Sequence, residues 1–314
     1  MKPRSERGWL YRIWSLVYPM LIYEGVALLV SMIVLAAVFL IHRAEFLPLI
    51  SAGTEEALSE MTSKLNDYYL AQYLWISFGT CLASIPIFWF LIRRDREEDL
   101  REGAVKRYEK AGPLPYALTF LAGMTMALAL NNLLIYSRLT EIFAEGYDEV
   151  ADLIYSGNVW LEVLTTALLV PVVEEMIFRG LIYRRLRVMA GVTPAIIASA
   201  ILFGLYHMNV LQAIYASLLG LVLAFACERF HSIVAPILIH MGANLFSVLA
   251  TETGLFDFVY ETEAAFLIAT GAALAVFAGL AFWLITRVDL QPLEEEPAVQ
   301  ETEVLPPPQG AERS

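Results

Sequence analysis

The chain has 314 residues, of which 58% are hydrophobic and 17% are charged, and its mean hydropathy is +0.61. These values are too apolar for an ordinary soluble domain. The apolar residues also fall in long runs and do not alternate with polar ones, which supports the same conclusion. Much of the net charge of -12 lies in the tail after Arg287, which indicates a solvated segment, and we find no pattern typical of nucleic-acid binding. Cys81 and Cys227 both lie in apolar runs, so a disulfide framework has no support.

Eight apolar runs follow one another along the chain and predict an all-α fold, a polytopic membrane helix bundle of about eight transmembrane helices. A run of roughly 20 residues is sufficient, because an α-helix rises about 1.5 Å per residue and the hydrocarbon core is about 30 Å thick. Between the first two runs, residues 43–70 predict a short amphipathic helix, on the membrane surface or in a solvated loop. The predicted spans are about 15–41, 71–92, 116–136, 160–178, 193–208, 210–227, 232–250 and 264–286.

Basic residues are distributed unevenly over the segments that connect these spans. If the N-terminus is cytoplasmic, 18 of the 21 lysines and arginines lie on the cytoplasmic side, and the others are Arg43, Lys64 and Arg138. The positive-inside rule therefore predicts an integral, multi-pass cell membrane protein with both termini in the cytoplasm. Residues 288–314 are rich in proline and glutamate, which predicts a disordered acidic cytoplasmic tail.

The fourth predicted span carries two adjacent carboxylates, Glu174 and Glu175, near its end. A charged side chain at mid-membrane costs roughly 2.5 to 3.5 kcal/mol on insertion scales, so these residues need a reason to be there. Glu175 and Arg179 are four residues apart, and on a helix they share one face and can pair. Glu174 is rotated by about 100 degrees and would face the bundle interior as a general base. Taken alone, the same residues would equally suit a charge cluster that snorkels to the headgroups.

Polar side chains also occur in the fifth and seventh predicted spans. His207 ends the fifth span and shares a helical face with Phe203, although an interfacial histidine would give the same pattern. His240 and Asn244 share one face of the seventh span, where strongly polar side chains are costly unless they meet partners, and this favours a function. If the fifth helix is straight and full length, His207 and Glu174 lie at different depths in the membrane. The helix must therefore be tilted or short if the two side chains are to come into contact.

Three short motifs therefore occur in order within one polytopic chain: Glu174-Glu175-x-x-x-Arg179, Phe203-x-x-x-His207 and His240-x-x-x-Asn244. Together with the flanking Phe178-Arg179-Gly180 and Pro236, they resemble the signature of the CPBP family. That family comprises the type II CaaX-prenyl proteases and bacterial relatives linked to bacteriocin processing or self-immunity. The resemblance implies a CPBP-type catalytic core at residues 159–252. N-terminal transmembrane helices with charged loops at 1–158 would precede it, and a C-terminal transmembrane helix at 253–287 would follow.

The resemblance also implies an activity, that of an intramembrane endopeptidase acting on a membrane-associated protein or peptide. Glu174 and His207 would activate a water molecule, and His240 and Asn244 would stabilise the oxyanion of the tetrahedral intermediate. Such roles suit amide hydrolysis, which needs a base near water and donors near the developing charge. The expected partners are the substrate and the lipid bilayer, with no nucleic acid. The supporting residues would be Glu175 and Arg179 as an ion pair, and Phe203 in a substrate pocket.

Other interpretations stay open at this point. No cofactor is certain, but Glu174, His207 and His240 could hold a zinc ion, although the local His-Glu-x-x-His pattern is absent. A non-catalytic membrane scaffold or bacteriocin self-immunity protein of the same fold could use the polar residues for binding. A transporter would also bury polar residues, but we find no pair of interrupted helices in corresponding halves of the chain.

Overall fold

The structure, a computed structural model, describes residues 7–143 and 158–293. Parts of the predictions lie outside these ranges, namely the basic residues 1–6, most of the acidic loop at 144–157 and the tail from residue 294 onward. The described residues contain no β-strand, only an isolated bridge between Tyr108 and Pro292. The helices are α1 (Trp9–Ile41), α2 (Arg43–Ala52), α3 (Glu55–Leu70), α4 (Tyr73–Arg101), α5 (Pro113–Tyr136), α6 (Leu139–Ile142), α7 (159–190), α8 (Val192–Tyr206), α9 (Val210–Phe230), α10 (Val234–Thr253) and α11 (Glu263–Arg287).

Within the described ranges, six helices are long and apolar enough to cross a membrane, namely α1, α4, α5, α9, α10 and α11. This confirms the predicted polytopic, all-α membrane bundle. In α1 and α11, only 6% of the most apolar stretch is buried inside the protein. So much apolar surface is unfavourable in water, and lipid is the environment that covers it.

The fourth and fifth predicted spans are present as α7 and α8, but they differ from regular crossings. The helix α7 runs without a break through residues 159–190, and two π-helical segments, Val163–Leu169 and Met176–Tyr183, interrupt its α-helical hydrogen bonding. The helix α8 has 15 residues, so it extends about 22 Å, less than the hydrocarbon thickness of about 30 Å. It is too short to cross as a straight helix, and His207 follows directly after it.

The helix α7 lies at the centre of the bundle. Every residue of its second π segment, Met176–Tyr183, is buried, and α1, α4, α8 and α9 pack around that segment. A π segment redirects the side chains that follow it, and such segments are frequent at functional sites. The paired glutamates lie in the α-helical stretch Val170–Glu175, directly before this segment and between the two π segments.

The helices α5 and α10 approach each other closely because each contributes a glycine to the contact. A Cβ atom added at Gly123 would lie 1.9 Å from the carbonyl oxygen of Ile239, and one added at Gly242 would lie 2.2 Å from that of Phe120. Small residues allow membrane helices to reach such short separations. The contact fixes α10, which carries two of the predicted site residues, against α5.

An arginine near the end of α7 ties this helix to two others. Arg185 Nε donates to Asp95 Oδ2 at 2.7 Å, and the same guanidinium also donates to the carbonyl oxygen of Ser15 and to the hydroxyl of Tyr18. Arg185 is only 2% exposed. This burial argues against a cluster of charges that merely snorkels to the headgroups, and the contacts dock α1 and α4 onto α7.

The first residues of the predicted disordered tail lie against the loop between α4 and α5. Glu109 N donates to the Gln291 carbonyl oxygen at 3.0 Å, and Leu293 N donates to that of Arg107 at 2.9 Å. Val288 is buried. The predicted disorder therefore does not extend to residues 288–293, and the remainder of that tail lies outside the described residues.

Candidate active site

A buried ion pair occupies the middle of α7. Arg179 Nη1 donates to Glu175 Oε1 at 2.7 Å, and both side chains are fully buried. Arg179 Nη2 donates to the Gly220 carbonyl oxygen at 3.1 Å, and its guanidinium carbon lies 4.5 Å from the ring centroid of Phe203. A charge removed from water is costly unless it is paired and hydrogen-bonded. These contacts provide partners for Glu175 Oε1 and for both terminal nitrogens of Arg179, whereas Glu175 Oε2 and Arg179 Nε have no hydrogen-bond partner among the described residues. The pairing expected from the i,i+4 spacing is therefore present, and Arg179 also links α7 to α8 and α9.

His240 connects this ion pair to the other glutamate. Its Nδ1 lies 3.0 Å from Glu175 Oε1, and its Nε2 lies 3.6 Å from Glu174 Oε2. The Glu175 oxygen also accepts from Arg179, so the Nδ1–H group of His240 is the donor in the shorter contact. Glu174 is 15% exposed at its side chain, whereas Glu175 is enclosed. The two adjacent carboxylates therefore have different surroundings, one buried and paired, the other at an accessible edge.

The ring of Phe203 lies between the two histidines. Its centroid is 5.0 Å from that of His207 and 5.6 Å from that of His240, both in edge-to-face orientation. His207 Nδ1 donates to the Phe203 carbonyl oxygen at 2.9 Å. A carbonyl oxygen only accepts, so in neutral His207 the Nε2 atom is left as an acceptor. Among the described residues, Glu174 therefore lies next to His240. The ring of Phe203 separates His240 from His207.

Asn244 lies one turn beyond His240 on α10, and its amide group reaches α7. Asn244 Nδ2 donates to the Thr166 carbonyl oxygen at 2.9 Å. Thr166 belongs to the first π segment, so this bond joins α10 to the irregular part of α7. An amide nitrogen carries two N–H groups, and one is still available after this bond.

The three side chains considered for zinc, Glu174, His207 and His240, do not form a metal-binding group. Zinc requires several ligand atoms at about 2.0 to 2.2 Å from one point. No three Asp, Glu, His or Cys side chains of the described residues are arranged in this way. In addition, each histidine uses its Nδ1 atom for a protein oxygen. These residues do not fit a zinc ion in this arrangement.

A second pair of polar side chains, Tyr206 and Glu24, was not predicted from the sequence. The hydroxyl of Tyr206 donates to Glu24 Oε1 at 2.7 Å, which connects α8 to α1. Glu24 is the single carboxylate in the first predicted span, 15–41, and that isolation in an apolar run was a signal that could have identified it.

A large cavity of about 1070 Å³ lies apart from these residues, at the charged end of α1 and α4. Its described lining combines aromatic side chains of α1, such as Trp14, with charged side chains of α4 and Arg185. None of the predicted catalytic residues is among the described residues that line it. We therefore assign the candidate active site to the residues around His240 and not to this cavity.

Comparisons with known proteins concern the part of the chain that carries these residues. Residues 156–246 match a family model described as Type II CAAX prenyl endopeptidase Rce1-like. A protein of Bacillus subtilis (strain 168) named "Putative membrane peptidase YdiL" is 26% identical over 181 residues, which are 57% of this chain and 72% of that protein. No solved structure shows a significant match. The range matched by the family model contains every predicted site residue and leaves out α1 to α6.

Proposed function

We propose that the chain is an intramembrane endopeptidase of the CPBP family that hydrolyses a peptide bond of a membrane-associated protein or peptide, and the family match over residues 156–246 supports this proposal. The observation that carries the proposal is the position of His240, 3.0 Å from Glu175 and 3.6 Å from Glu174. Amide hydrolysis requires a base near water and donors near the developing negative charge. The residues around His240 offer groups of both kinds.

In this proposal Glu174 is the general base. Arg179 is already engaged by Glu175, and Glu174 is the carboxylate at the accessible edge. The 3.6 Å between Glu174 Oε2 and His240 Nε2 exceeds a hydrogen bond, so both atoms are available to groups that enter the site. Glu174 takes a proton from water while the water oxygen attacks the carbonyl carbon of the scissile bond. His207, with Nε2 as an acceptor, helps to orient that water.

His240 and Asn244 stabilise the oxyanion that forms in this attack. His240 donates from Nε2 when both ring nitrogens carry a proton, because Nδ1–H is committed to Glu175. Asn244 donates the N–H that Thr166 does not use. When the C–N bond breaks, the proton held by Glu174 passes to the leaving amine, and the carboxylate is restored. The second product is the new C-terminal carboxylate of the cleaved peptide.

Glu175 and Arg179 act through His240 and do not touch the substrate. Their ion pair fixes the oxygen that receives His240 Nδ1–H, so it sets the direction of the ring. The Phe203 ring, held beneath the Arg179 guanidinium and between the two histidines, forms a wall of the substrate pocket. Such supporting hydrogen bonds hold the catalytic groups in their reactive geometry. This pre-positioning accounts for a large part of enzymatic rate enhancement.

The proposed setting is the cell membrane, with both termini in the cytoplasm, and the uneven distribution of basic residues supports this orientation. Residues 159–252 form the catalytic core, and residues 1–158 and 253–287 supply the surrounding transmembrane helices. The site residues lie on helices embedded among apolar ones, so the substrate arrives from the bilayer or its surface. A membrane-anchored peptide, with or without a prenyl group, is the proposed substrate class.

The experiment that tests the proposal compares reconstituted wild type with Glu174→Gln on a library of membrane peptides. New peptide termini are identified by mass spectrometry, with and without a chelator. We expect cleavage by the wild type and a loss of at least about 100-fold in Glu174→Gln, as for removal of a positioned general base. Glu97→Gln is the matched control, because this glutamate is exposed and pairs with Arg93 on α4.

The outcomes separate the alternatives. Identical termini from wild type and Glu174→Gln would reject Glu174 as the base and favour the scaffold or immunity interpretation. Activity lost with a chelator and restored by zinc would require a metal-bound arrangement different from the one described here. A Glu174→Gln protein that no longer accumulates in the membrane would point to a structural role, and for that reason its melting temperature is measured alongside.

A further inference from the structure

A single carboxylate lies near the middle of the first membrane helix. Glu24 is the sixteenth residue of the 33-residue α1, with apolar runs on both sides. An ionisable side chain at such a depth is unfavourable unless it faces a polar partner, and it usually marks a functional position. The described partner of Glu24 is Tyr206, whose hydroxyl donates to Glu24 Oε1 at 2.7 Å.

This hydrogen bond joins two helices whose backbones do not pack closely. Among the described helices, α1 packs mainly on α4 and on the second π segment of α7, whereas α8 packs mainly on α9 and α7. Two long side chains, Glu24 and Tyr206, therefore bridge the space between α1 and α8. The Tyr206 ring also contacts Phe178 of α7, with centroids 5.5 Å apart, so the bridge is supported from a third helix.

The residue that follows Tyr206 in the chain is His207. The helix α8 ends at Tyr206, and the chain turns sharply at Met208, which has a φ of 55°. No further helical turn holds His207 from its C-terminal side, and helix ends are prone to fray. Its ring is held by the bond from Nδ1 to the Phe203 carbonyl oxygen. A partner that secures Tyr206 therefore also limits the motion of His207.

Glu24 can act as such an anchor because α1 is itself docked. Arg185 of α7 donates to the carbonyl oxygen of Ser15 and to the hydroxyl of Tyr18, between one and three turns before Glu24 on α1. The end of α8 is thus connected through Tyr206 and α1 to the same helix that carries Glu174. Helix α1 lies outside the range matched by the family model, so nothing in that match assigns it a role.

We infer that Glu24 is a positioning residue of the active site, which holds the end of α8 through Tyr206 and so keeps His207 Nε2 directed toward the water that Glu174 activates. Where it concerns catalysis, this inference rests on the proposed function. The geometric part, that Glu24 and Tyr206 restrain His207, is independent of any activity. The two parts are therefore tested by separate measurements on the same variants.

The variants are Glu24→Ala, Tyr206→Phe and their combination, each reconstituted as the full chain. Glu24→Gln is the conservative variant, because its amide oxygen can still accept from Tyr206. The matched control is another tyrosine–glutamate bond, in which Tyr68 of α3 donates to Glu45 of α2 at 3.1 Å, away from the site. Glu45→Ala and Tyr68→Phe remove a bond of the same chemistry without touching α8.

The first measurement is the rate at which diethylpyrocarbonate modifies His207, followed by peptide mass spectrometry. We expect the rate to rise about fivefold, as for the loss of one hydrogen bond, in Glu24→Ala and in Tyr206→Phe. The double variant should react no faster than either single variant, because both remove the same bond. Glu24→Gln and the two control variants should react like the wild type. An unchanged rate in Glu24→Ala, or additive effects in the double variant, would overturn the inference.

The second measurement is kinetic. We expect kcat to fall roughly 10-fold to 100-fold in Glu24→Ala and Tyr206→Phe with little change in KM, as for a misplaced catalytic group, and to recover in Glu24→Gln. A rise in KM alone would overturn the catalytic part and indicate a substrate contact instead. If the wild type cleaves no peptide, the proposed function fails, while the reactivity of His207 still decides whether Glu24 restrains it.

Discussion

His240 and Glu175 are 65 residues apart in the chain, yet His240 Nδ1 lies 3.0 Å from Glu175 Oε1. The same carboxylate oxygen accepts from Arg179 Nη1 at 2.7 Å. One buried oxygen therefore holds both a guanidinium and an imidazole in place. The orientation of His240, and with it the approach to Glu174, depends on a charge that is itself enclosed by protein.

The first prediction concerns the stability that this buried pair confers. Glu175→Gln leaves Arg179 buried without a compensating charge, and breaking a buried pair in this way costs about 3 to 5 kcal/mol. We expect a clearly lower melting temperature in detergent, measured by intrinsic fluorescence. Glu174→Gln, at the accessible edge, should stay within about 0.5 kcal/mol of the wild type.

A double substitution shows whether charge is the cause of that loss. Glu175→Gln combined with Arg179→Met removes both charges, and such replacements are often neutral or stabilising. The double variant should regain most of the melting temperature. His240 would then face an amide oxygen that no ion pair holds in place, so cleavage should stay low. If Glu175→Gln alone melts like the wild type, the pair contributes no net stability.

The second prediction separates a catalytic amide from a structural one. Asn244→Leu removes the proposed oxyanion donor and should lower kcat by about 10² to 10³. Asn132→Leu is the control, because Asn132 is an amide in another membrane helix, buried and bound to Thr270 at 2.8 Å and to Tyr260 at 3.1 Å. Asn132→Leu should melt at a lower temperature than the wild type, but its folded fraction should have the kcat of the wild type. Equal effects of the two variants on kcat would mean that Asn244 acts only through packing.

These sites also show how far the sequence alone can lead. The contact between Glu175 and Arg179 follows from their spacing, because residues four apart on a helix share a face. The alignment of His240 with Asn244 is local for the same reason. The approximate bounds and the order of the membrane helices follow from apolar runs of sufficient length. In lipid, the backbone polar groups of such a segment must be hydrogen-bonded within the protein, and a helix achieves this.

Contacts between residues that are far apart in the sequence could not be predicted from helical spacing. The bond from Tyr206 to Glu24 joins residues 182 positions apart, and a spacing rule along one helix carries no information about it. The π segments of α7 were also not predicted, because we assumed a regular α-helical period throughout. Likewise, Arg185 has the sequence context of an interfacial cation, and only the packing of three helices buries it.

The third prediction is a pH dependence at the end of α9. His231 stacks on Tyr108 with ring centroids 3.4 Å apart. Burial lowers the pKa of His231, Arg187 and Arg229 lower it further, and Glu228 opposes them. The unfolded chain, with a histidine pKa of about 6.5, therefore takes up a proton before the folded chain does. This contribution to stability is complete above that value and is lost as the pH falls through the lower, folded-state pKa.

The measurement is the melting temperature of wild type and His231→Phe at about pH 7.5 and about pH 5, on either side of the histidine pKa. His231→Phe keeps an aromatic ring against Tyr108 but cannot titrate. We expect the wild type to lose slightly more stability on acidification than the variant does. Parallel changes in the two proteins would assign the pH dependence to other groups.

The last prediction concerns the close approach of α5 and α10. A Cβ atom in Gly123→Ala or Gly242→Ala would lie about 2 Å from a backbone carbonyl oxygen, a rigid group that cannot move aside by itself. The helices must then separate, and overpacking of this kind costs about 1 to 3 kcal/mol. Gly271→Ala and Gly279→Ala on α11 are matched controls, because nothing lies within 4 Å of their added Cβ atoms. They should keep or slightly raise the melting temperature, since alanine is the better helix former.

The combination of Gly123→Ala with Gly242→Ala tests whether the two glycines serve one contact. Once either methyl group has displaced α5 from α10, the other finds more room, so the combined loss of stability should be smaller than the sum of the two. Because α10 carries His240 and Asn244, cleavage should fall in all three variants, including the fraction that stays folded. Additive losses of stability would mean that each glycine avoids a steric clash that is independent of the other. Full activity in the folded fraction would show that the distance between α5 and α10 does not control the geometry around His240.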